Sequence, residues 1–537
     1  MSLYLKSLES DAPEYVRSQM QLTGAILPNL TENIRCGNSL VSTDYYQQAE
    51  LGQLDAFEEH RLRPFKWNSD KEGFGKVLAD GGFDAVIGNP PYFNVDATYG
   101  AKHPVPAYLK TAYSAIWQDK TDIYYFFLTR GVQLARQRLG FIVSRSFLEA
   151  DKARRTRGNL ASNARLDQIA DMDSFRVFTD AGIATTIVVF DTTQPHDEAK
   201  VDVRRLDSAA HSTDEVIEGL RQGSAPFEVF SRRTKLDDAP WRFPNPYTDE
   251  LYRRIDAAGE RLDKVCFLGK GMETAANSVF GKLSDADVVR LELPAELLKR
   301  RARNSDIRRY YTADSGENVL YLEDVAQYAD LPKAVRDYLE EPATKAKLEG
   351  RAAYERGDCD WWRYTWPLHK EHYGGPRLMS PYRTGHNRFT LDEDFSYFTS
   401  TDTTIVFPRD GTEEDLRYIQ TLLNTKLLTF RFRGLGKLTS PKMWESFHYS
   451  IKELPIRRID FSDAEQKGRH DSLVRMAQDI EQARRQAHNG LSPADRSLGA
   501  RRAEALLDHI DEVVLDLYGI TGVEERASVL ALGAPLA

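Results

Sequence analysis

An apolar strand that stops at two consecutive prolines constrains the fold of this chain more than any other feature. Residues 83–92 are Phe-Asp-Ala-Val-Ile-Gly-Asn-Pro-Pro-Tyr. A short apolar run of this kind is typical of a parallel strand that is buried on both faces of its sheet. The strand cannot continue past Asn89, because a proline has no N–H group and holds φ at about −65°. Ligands of open α/β sheets lie just beyond the carboxyl ends of the strands, so the sequence predicts a stiff, ligand-facing loop.

The predicted loop carries two acceptors that suit the amino group of an adenine. That nitrogen is a poor nucleophile, because its lone pair is delocalised into the ring. The side-chain oxygen of Asn89 and the carbonyl of Pro90 could accept its two hydrogens, while Pro91 keeps the loop stiff. Tyr92 could stack on the base, an interaction worth roughly 1–3 kcal/mol. The loop therefore indicates catalysis by positioning and charge stabilisation, although a proline-stiffened loop after a core strand is the plain alternative.

The surrounding sequence alternates apolar strands with helices, the pattern of an α/β fold. Strands are predicted at 33–40, ending in a glycine turn at Gly37-Asn38, and at 138–144, 166–172 and 185–190. A helix is predicted from residue 121, with Thr121 or Asp122 as its N-cap. Residues 93–110 are rich in glycine, proline, histidine and aromatic residues. This composition predicts a mobile loop over the site.

The Asn89-Pro90-Pro91-Tyr92 segment resembles the signature of the methyltransferases that methylate N6 of adenine in DNA. The resemblance implies a Rossmann-like, S-adenosylmethionine-dependent sheet with these four residues as the catalytic group. It also places Asn38 and Phe127 against the adenine of the cofactor, and Phe178 on the second face of a base flipped out of duplex DNA. The alternatives are an Asx-type turn at Asn38 and a core aromatic residue at Phe127.

One part of that family pattern has no counterpart in the sequence. The family places a glycine-rich turn and a ribose-binding acidic residue before the position of Asn33. Gly269-Lys270-Gly271 lies far downstream and opens no βαβ unit. Residues 1–9 resemble the end of the helix that follows the second strand. We therefore expect only part of the sheet in this chain, because the reading frame is truncated or because an upstream partner chain supplies the cofactor motif.

The second half of the chain resembles a TaqI-like specificity domain. The resemblance rests on Gly271–Asn277, on Leu422-Leu423-Asn424-Thr425 and on Leu454-Pro455, in that order, although Ala275 and Ala276 replace part of the glycine turn. The predicted domains are a partial catalytic domain at 1–192, a polar linker at 193–257, a mixed α+β target-recognition domain at 258–460, and a C-terminal helical segment at 461–537. Within that segment, helices are predicted at 463–488 and 500–518.

Charge and cysteine content restrict the function classes further. The net charge of −9 argues against a protein that coats DNA along its whole surface. Two basic clusters stand out, one at 299–309 and one at 426–458, which contains eight basic and two acidic residues. They suit phosphate contacts and some base reading, or a solvated face. Cys36, Cys266 and Cys359 are odd in number and far apart, which favours reduced thiols over disulfides or a zinc site.

The sequence thus predicts a site-specific, adenine-specific DNA methyltransferase with the catalytic part first, from a restriction–modification or phage-defence system. Its expected cofactor is S-adenosylmethionine and its expected partner is double-stranded DNA. No apolar run of 18 residues and no signal-peptide pattern is present, so a cytoplasmic protein without a membrane partner is expected. Two alternatives stay open: a DNA-recognition subunit that is catalytically incomplete, and a methyltransferase for RNA or for protein glutamine. No convincing nuclease motif is present.

Overall fold

The computed structural model describes residues 33–47, 62–100, 103–172, 175–178, 183–193, 199–207, 211–440 and 442–535. The described residues fall into two units. The first draws on 1–170, 186–203 and 233–241, and the second on 171–185, 204–232 and 242–537. Both contain helices and strands, so the fold class is mixed α/β.

Strands of the first half form a six-stranded sheet and a small two-stranded one. The strands are β1 (Asn38–Ser42), β2 (Pro64–Phe65), β3 (Phe83–Gly88), β4 (Ala135–Ser144), β5 (Arg165–Asp171), β6 (Thr185–Asp191), β7 (Ala199–Leu206) and β8 (Phe227–Thr234). β1 pairs with β2, and the larger sheet has the order β3-β4-β6-β5-β7-β8. The strands predicted at 83–88, 138–144, 166–172 and 185–190 are confirmed. Residues 33–40 are an exception, since β1 begins at Asn38 instead of ending near it.

Strand β3 lies at an edge of the six-stranded sheet. It runs parallel to β4, with Val86 opposite Leu139 and Gly88 opposite Phe141. Within the described residues β4 is its only neighbour, and the side chain of Ile87 is 87% exposed. The prediction that this strand is buried on both faces is therefore wrong for the described structure. Apolar composition alone cannot distinguish a central strand from an edge strand.

The predicted mobile loop at 93–110 is instead largely helical. Its helices are Val95–Tyr99 and Pro104–Ala112. The side chain of Asn94 caps the first by accepting a hydrogen bond from the Ala97 N–H. Proline is tolerated in the first turn of the second, where its missing N–H would have had no partner. The prolines that suggested a loop thus mark a helix start.

The helix expected after residue 121 is confirmed as Ile123–Leu134, with Asp122 at the N-cap. Its neighbours in the first unit are Gly75–Ala79 and Arg154–Asn163. Short 3-10 helices cover Thr43–Gln47, Arg145–Leu148 and Asp151–Ala153.

The segment predicted as a linker, 193–257, contains regular structure. Strands β7 and β8 lie within it, together with helices Thr213–Gln222 and Pro246–Ala257. Ser212 and Glu215 form a capping box at the start of the first of these helices. The polar, turn-rich composition reflects a solvated sheet edge and not a connector without structure.

The second unit holds several small sheets. Its strands are β9 (Glu260–Arg261), β10 (Cys266–Lys270), β11 (Leu283–Ser284), β12 (Leu298–Ala302), β13 (Ile307–Arg308), β14 (Tyr311–Thr312), β15 (Glu317–Leu320), β16 (Arg377–Pro381), β17 (Arg383–Thr384), β18 (Thr390–Asp392), β19 (Tyr397–Thr399), β20 (Thr403–Pro408), β21 (Leu438–Ser440), β22 (Met443–Glu445) and β23 (Pro455–Ile456). The two four-stranded sheets have the orders β10-β20-β16-β18 and β11-β15-β12-β19.

Helices complete the second unit. They are Leu262–Val265, Asn277–Phe280, Asp285–Arg290, Lys333–Glu340, Pro342–Glu349, Ala352–Glu355, Leu416–Leu423, Lys426–Leu435, His448–Ile451, Ala464–Asn489, Pro493–Leu517 and Val523–Gly533, with 3-10 turns at Ala295–Leu297, Tyr328–Asp330 and Lys370–His372. The C-terminal helical pair is confirmed, although its second helix starts at Pro493. The apolar side of this pair joins the larger core of the unit, where Ile480 and Val514 are fully buried.

Candidate functional site

The loop after β3 is held against β4 by the side chain of Tyr92. The Tyr92 hydroxyl lies 3.0 Å from the backbone carbonyl of Ile142 in β4 and 3.1 Å from Oδ1 of Asn89. Pro90 is buried, whereas Asn89 and Pro91 are exposed. The single hydroxyl hydrogen is shared between these two acceptors, so the tyrosine holds Asn89 beside β4 at the carboxyl end of β3, where the sequence predicted it.

The chain that follows the loop is tied to the start of helix Ile123–Leu134. The Ile123 N–H donates to the Phe93 carbonyl (2.9 Å), and the Val95 N–H donates to the Thr121 carbonyl (3.0 Å). The amide group of Asn94 donates to the carbonyl of Lys120 at 2.6 Å. Because both ends of the loop are anchored by backbone hydrogen bonds, Asn89 to Tyr92 have little freedom to rearrange.

Tyr92 is a neutral hydrogen-bond donor over the physiological range. Burial raises the pKa of its hydroxyl to about 12. Its ring meets the ring of Tyr124 edge to face, with centroids 5.9 Å apart. The ring is half-buried, so part of its surface stays accessible. An aromatic ring beside a fixed amide oxygen can hold a planar group that carries an amino substituent.

Asn38 takes part in a local turn at the start of β1. Its Oδ1 accepts a hydrogen bond from the Leu40 N–H (3.1 Å), and its own N–H donates to the Arg63 carbonyl (2.7 Å). The Asx-type alternative is therefore observed. The amide NH₂ group has no partner among the described residues, so Asn38 can still donate to a nitrogen of a purine edge.

Helix Ile123–Leu134 joins the parts of the predicted site in the first unit. It contacts β1, β3 and β4, and therefore the strands that carry Asn38 and precede Asn89. Phe127 lies on this helix and is half-buried, whereas the preceding Phe126 is fully buried. A half-buried ring on this helix, and an amide donor on a strand that the helix contacts, are groups that can bind an adenine, so the residues present fit part of S-adenosylmethionine.

Phe178 lies in the short described segment 175–178 between β5 and β6, where its ring is half-buried. The Phe175 N–H donates to the Met172 carbonyl at 2.9 Å and turns the chain away from β5. The pairing of Phe178 with Tyr92 across a flipped base stays a prediction.

A hydroxyl cluster at the end of β4 was not predicted from the sequence. Tyr124 Oη lies 3.0 Å from Ser146 Oγ, and Ser144 Oγ lies 3.0 Å from the same atom. Tyr124 is buried, and burial raises its pKa above the ordinary value. The signal was available, because Ser144 follows the apolar run Phe141-Ile142-Val143 at a strand end next to the loop. The cluster can support Tyr92 through the Tyr124 ring.

The turn that resembles a specificity-domain motif has a defined geometry in the second unit. Thr274 Oγ1 donates to Asn277 Oδ1 (3.1 Å) and accepts from the Ala276 N–H (3.1 Å). Ala275 has φ of 51°, in the left-handed region that favours glycine. The alanine at this position therefore adopts a backbone conformation that glycine takes more readily.

The second motif segment is structural. Both amide atoms of Asn424 bond the backbone of Phe389, with Oδ1 accepting from the N–H (2.8 Å) and Nδ2 donating to the carbonyl (2.9 Å). Thr425 caps the helix Lys426–Leu435 by accepting from the Leu428 N–H. These contacts join two helices to the residue before β18, and burial of the Asn424 side chain keeps it from a ligand at the surface.

Carboxylates within the protein neutralise much of both basic clusters. In the first cluster Arg300 pairs with Asp285 (2.6 Å) and Asp314 (3.1 Å), Arg301 with Glu317 (2.7 Å) and Arg303 with Asp306 (2.8 Å). In the second, Lys426 pairs with Asp508 (2.9 Å), Arg431 with Asp256 (2.6 Å) and Arg458 with Glu414 (2.8 Å). These pairings reduce the number of cations that the clusters offer to a nucleic acid.

The described residues contain neither a metal-binding cluster nor a membrane-spanning helix. No group of three or more histidine, cysteine, aspartate or glutamate side chains there could hold a metal ion. No helix in the described ranges is long and apolar enough to span a membrane. Cys36, Cys266 and Cys359 are free thiols.

Comparisons with known proteins show that this chain is similar to methylases and methyltransferases of restriction-modification systems. Residues 1–178 match the family described as Eco57I restriction-modification methylase. The type II restriction enzyme and methyltransferase RM.Eco57I of Escherichia coli is 21% identical over 98% of this chain and 53% of its own length. The chain therefore spans about half the length of that relative. The type II methyltransferase M.HindII of Haemophilus influenzae is 20% identical over 73% of this chain and 78% of its own length.

A solved structure shares the fold. The type IIL restriction-modification enzyme MmeI, solved in complex with DNA, superposes with a TM-score of 0.57 at 11% sequence identity. The superposition covers 88% of this chain and 59% of MmeI. At that identity the similarity concerns the fold alone.

Proposed function

We propose that this chain is the methylating part of a site-specific adenine DNA methyltransferase, acting within a restriction–modification or phage-defence system. The reaction transfers a methyl group from S-adenosylmethionine to N6 of an adenine that is flipped out of the duplex. The observation that carries the proposal is the Tyr92–Asn89 hydrogen bond at the end of β3, which fixes an amide oxygen beside an accessible aromatic ring.

The loop residues have separate roles in this mechanism. Asn89 Oδ1 keeps a second lone pair while it accepts from Tyr92, so it can also accept one hydrogen of the adenine amino group. The Pro90 carbonyl accepts the other hydrogen, which directs the nitrogen lone pair away from the ring. The Tyr92 ring stacks on one face of the base, and Phe178 covers the other. Charge that develops on the amino nitrogen is thus met by acceptors that are already in place.

The cofactor site in this proposal lies between β1 and helix Ile123–Leu134. Asn38 donates its amide hydrogens to the purine edge, and Phe127 packs on the purine face. When bound, S-adenosylmethionine supplies the electrophilic methyl group. The second unit supplies DNA contacts, in keeping with the DNA-bound state of MmeI, whose fold it shares.

Transfer of a tritiated methyl group to duplex DNA tests the proposal. The wild-type chain should label adenine N6, and Asn89→Ala should abolish labelling while DNA affinity, measured by fluorescence anisotropy, stays unchanged. Asn163→Ala is the matched control, because Asn163 is an exposed asparagine at the end of a helix in the same unit. Labelling of RNA or of a glutamine side chain in preference to duplex DNA would contradict the substrate assignment.

A second candidate function is DNA recognition without methyl transfer by this chain alone. It is favoured by the edge position of β3 and by the 87% exposure of Ile87 next to the loop. An apolar edge strand of this kind suits pairing with a further strand, which a partner chain could supply. Equilibrium dialysis with S-adenosylmethionine separates the two, since a recognition chain binds DNA but no cofactor.

A further inference from the structure

The first basic cluster contains two arginines that differ from their neighbours. Arg300, Arg301 and Arg303 are each paired with a carboxylate. Arg308 and Arg309 take part in none of the ion pairs within the described part of the chain. They lie at and just after β13, where the chain turns toward β14. The cluster thus has a neutralised part and a part that retains its positive charge.

The unpaired arginines border a cavity of about 220 Å³ in the second unit. His386 and Arg388 enter from the segment between β17 and β18, and Arg484 enters from helix Ala464–Asn489. The full lining is Arg308, Arg309, His386, Arg388, Arg484, His488, Glu504 and Pro535. Four arginines and two histidines therefore face a single carboxylate, although the chain as a whole is acidic.

The few acidic groups near this cavity are already engaged. Glu504 accepts from Arg484 at 2.8 Å. Asp511 is the carboxylate whose charge most raises the pKa of Arg309. It accepts from the Lys426 N–H (2.8 Å) and pairs with Lys426 Nζ (3.2 Å). Among the described residues, the cavity therefore keeps an excess of positive charge that no further carboxylate balances.

Burial makes this excess charge costly. It lowers the pKa of Arg309, and together with the charge of Arg308 it lowers the pKa of Arg388 to about 10. Both guanidinium groups still carry their charge near pH 7. Arg388 uses its Nε to donate to Thr384 Oγ1 at 3.2 Å, and no described group accepts from its two terminal nitrogens. An anion in the cavity would relieve the repulsion and accept these donors.

We propose that this cavity binds a phosphate group. Planar guanidinium forks match the tetrahedral oxygens of phosphate, and neutral His386 can add one N–H donor. At about 30 Å³ per water molecule, 220 Å³ accommodates a hydrated phosphate. The group is either a phosphodiester of the DNA backbone, in which case the inference rests on the proposed function, or a free phosphate ion or monoester.

Two probes distinguish these sources. Inorganic phosphate at 10 mM, compared with chloride at equal ionic strength, should raise the thermal midpoint of the wild-type chain by about 2–4 °C if the site takes free phosphate. Fluorescence anisotropy gives the association constant for duplex DNA over a series of salt concentrations. If the site takes a backbone phosphate, Arg388→Gln should reduce the slope of the logarithm of this constant against the logarithm of the salt concentration by about one in magnitude. Arg501→Gln, an exposed arginine on helix Pro493–Leu517, is the control of equal charge.

The variant itself should fold. Arg388→Gln removes a repelling charge, so its thermal midpoint without anions should equal or exceed that of the wild type, and Arg309→Gln provides a second, independent variant. The proposal is overturned if both probes give the same response for the wild type, Arg388→Gln and Arg309→Gln. A phosphate effect in a chain that binds no DNA would support the site and refute the proposed DNA function. Neither the thermal midpoint nor the DNA-binding measurement depends on methyl transfer.

Discussion

Replacing Gly88 by alanine should destabilise the strand that carries the site. A Cβ atom at this position would lie 2.7, 2.9 and 3.1 Å from Cε1, Cζ and Cδ1 of Phe141. Carbon atoms pack best at about 3.5–4.0 Å, so the ring would have to move by several tenths of an ångström. Phe141 is 5% exposed, and its Cζ is already close to the helix at Gly131, where an added Cβ would lie 3.1 Å away. Burial of the ring and its packing against this helix therefore limit its movement away from Gly88.

Overpacking of this kind costs about 1–3 kcal/mol. Gly140 is the matched control, because it lies opposite Ile87 in the same strand pair and an added Cβ there meets nothing within 4 Å. We expect Gly140→Ala to change stability by less than about 0.5 kcal/mol. Neither glycine has a positive φ, so backbone strain does not confuse the comparison.

Hydrogen exchange of the β3 and β4 amides is the appropriate assay, because unfolding of a chain with two units need not be two-state. Phe141→Leu completes a double-mutant cycle with Gly88→Ala. If the clash with the Phe141 ring is the cause, the double variant should lose at least about 1 kcal/mol less stability than the two single variants lose in sum. Equal protection in Gly88→Ala and Gly140→Ala, or strict additivity with Phe141→Leu, would refute the reasoning.

Three further predictions concern single side chains. Tyr92→Phe keeps the ring but loses the hydroxyl that orients Asn89, so methyl transfer should slow by about tenfold, or ~1.4 kcal/mol, at unchanged DNA affinity; slower transfer that comes only from weaker DNA binding would contradict this. Burial lowers the pKa of His386 to about 3, so its neutral form stabilises the fold above the unfolded pKa of about 6.5, and this contribution falls as the pH drops from about 7 to 5. His386→Gln should remove roughly 1–2 kcal/mol of that pH dependence, measured by hydrogen exchange of the amides of the second unit, and an unchanged pH dependence would argue against it. Arg351→Lys should destabilise the second unit by about 2–4 kcal/mol. The buried guanidinium donates to the carbonyls of Leu348 (2.9 Å), Arg363 (2.8 Å) and Trp361 (2.7 Å), and a single ammonium group cannot reach all three. Hydrogen-exchange protection equal to that of the wild type would exclude this.

Local chemistry explains which parts of the fold were predictable. The strand at Phe83–Gly88 ends where the prolines begin, and the helix after Asp122 begins where an N-cap residue precedes an apolar run. The same holds for the C-terminal pair of long helices, whose periodic apolar positions are evident in the sequence. The helices at Val95–Tyr99 and Pro104–Ala112 were missed, because prolines and glycines were interpreted as loop signals while helix starts tolerate proline.

The candidate site was predictable in part for the same reason. Asn89 and Tyr92 are three residues apart, so their hydrogen bond follows from a short segment whose conformation the prolines restrict. The Asx-type turn at Asn38, one of the two alternatives that the sequence offered, is equally local, because its Oδ1 accepts from the N–H two residues further on. The hydroxyl cluster of Tyr124, Ser144 and Ser146 combines a helix with a strand end and requires the packed structure.

The double-proline loop, its two acceptors and the alternation of strands and helices around it are evident from the sequence, because they depend on backbone restrictions within a few residues. The edge position of β3, and the bond between Tyr92 and the backbone of β4, depend on long-range packing and required the folded structure. The folded structure also distinguishes two arginines that look alike in the sequence. Arg300 has carboxylate partners 15 and 14 residues away, whereas Arg309 faces further cations across a cavity. The electrostatic energy of a charged side chain depends on its distance from the other charges that folding brings near it. Composition carries no information about these distances.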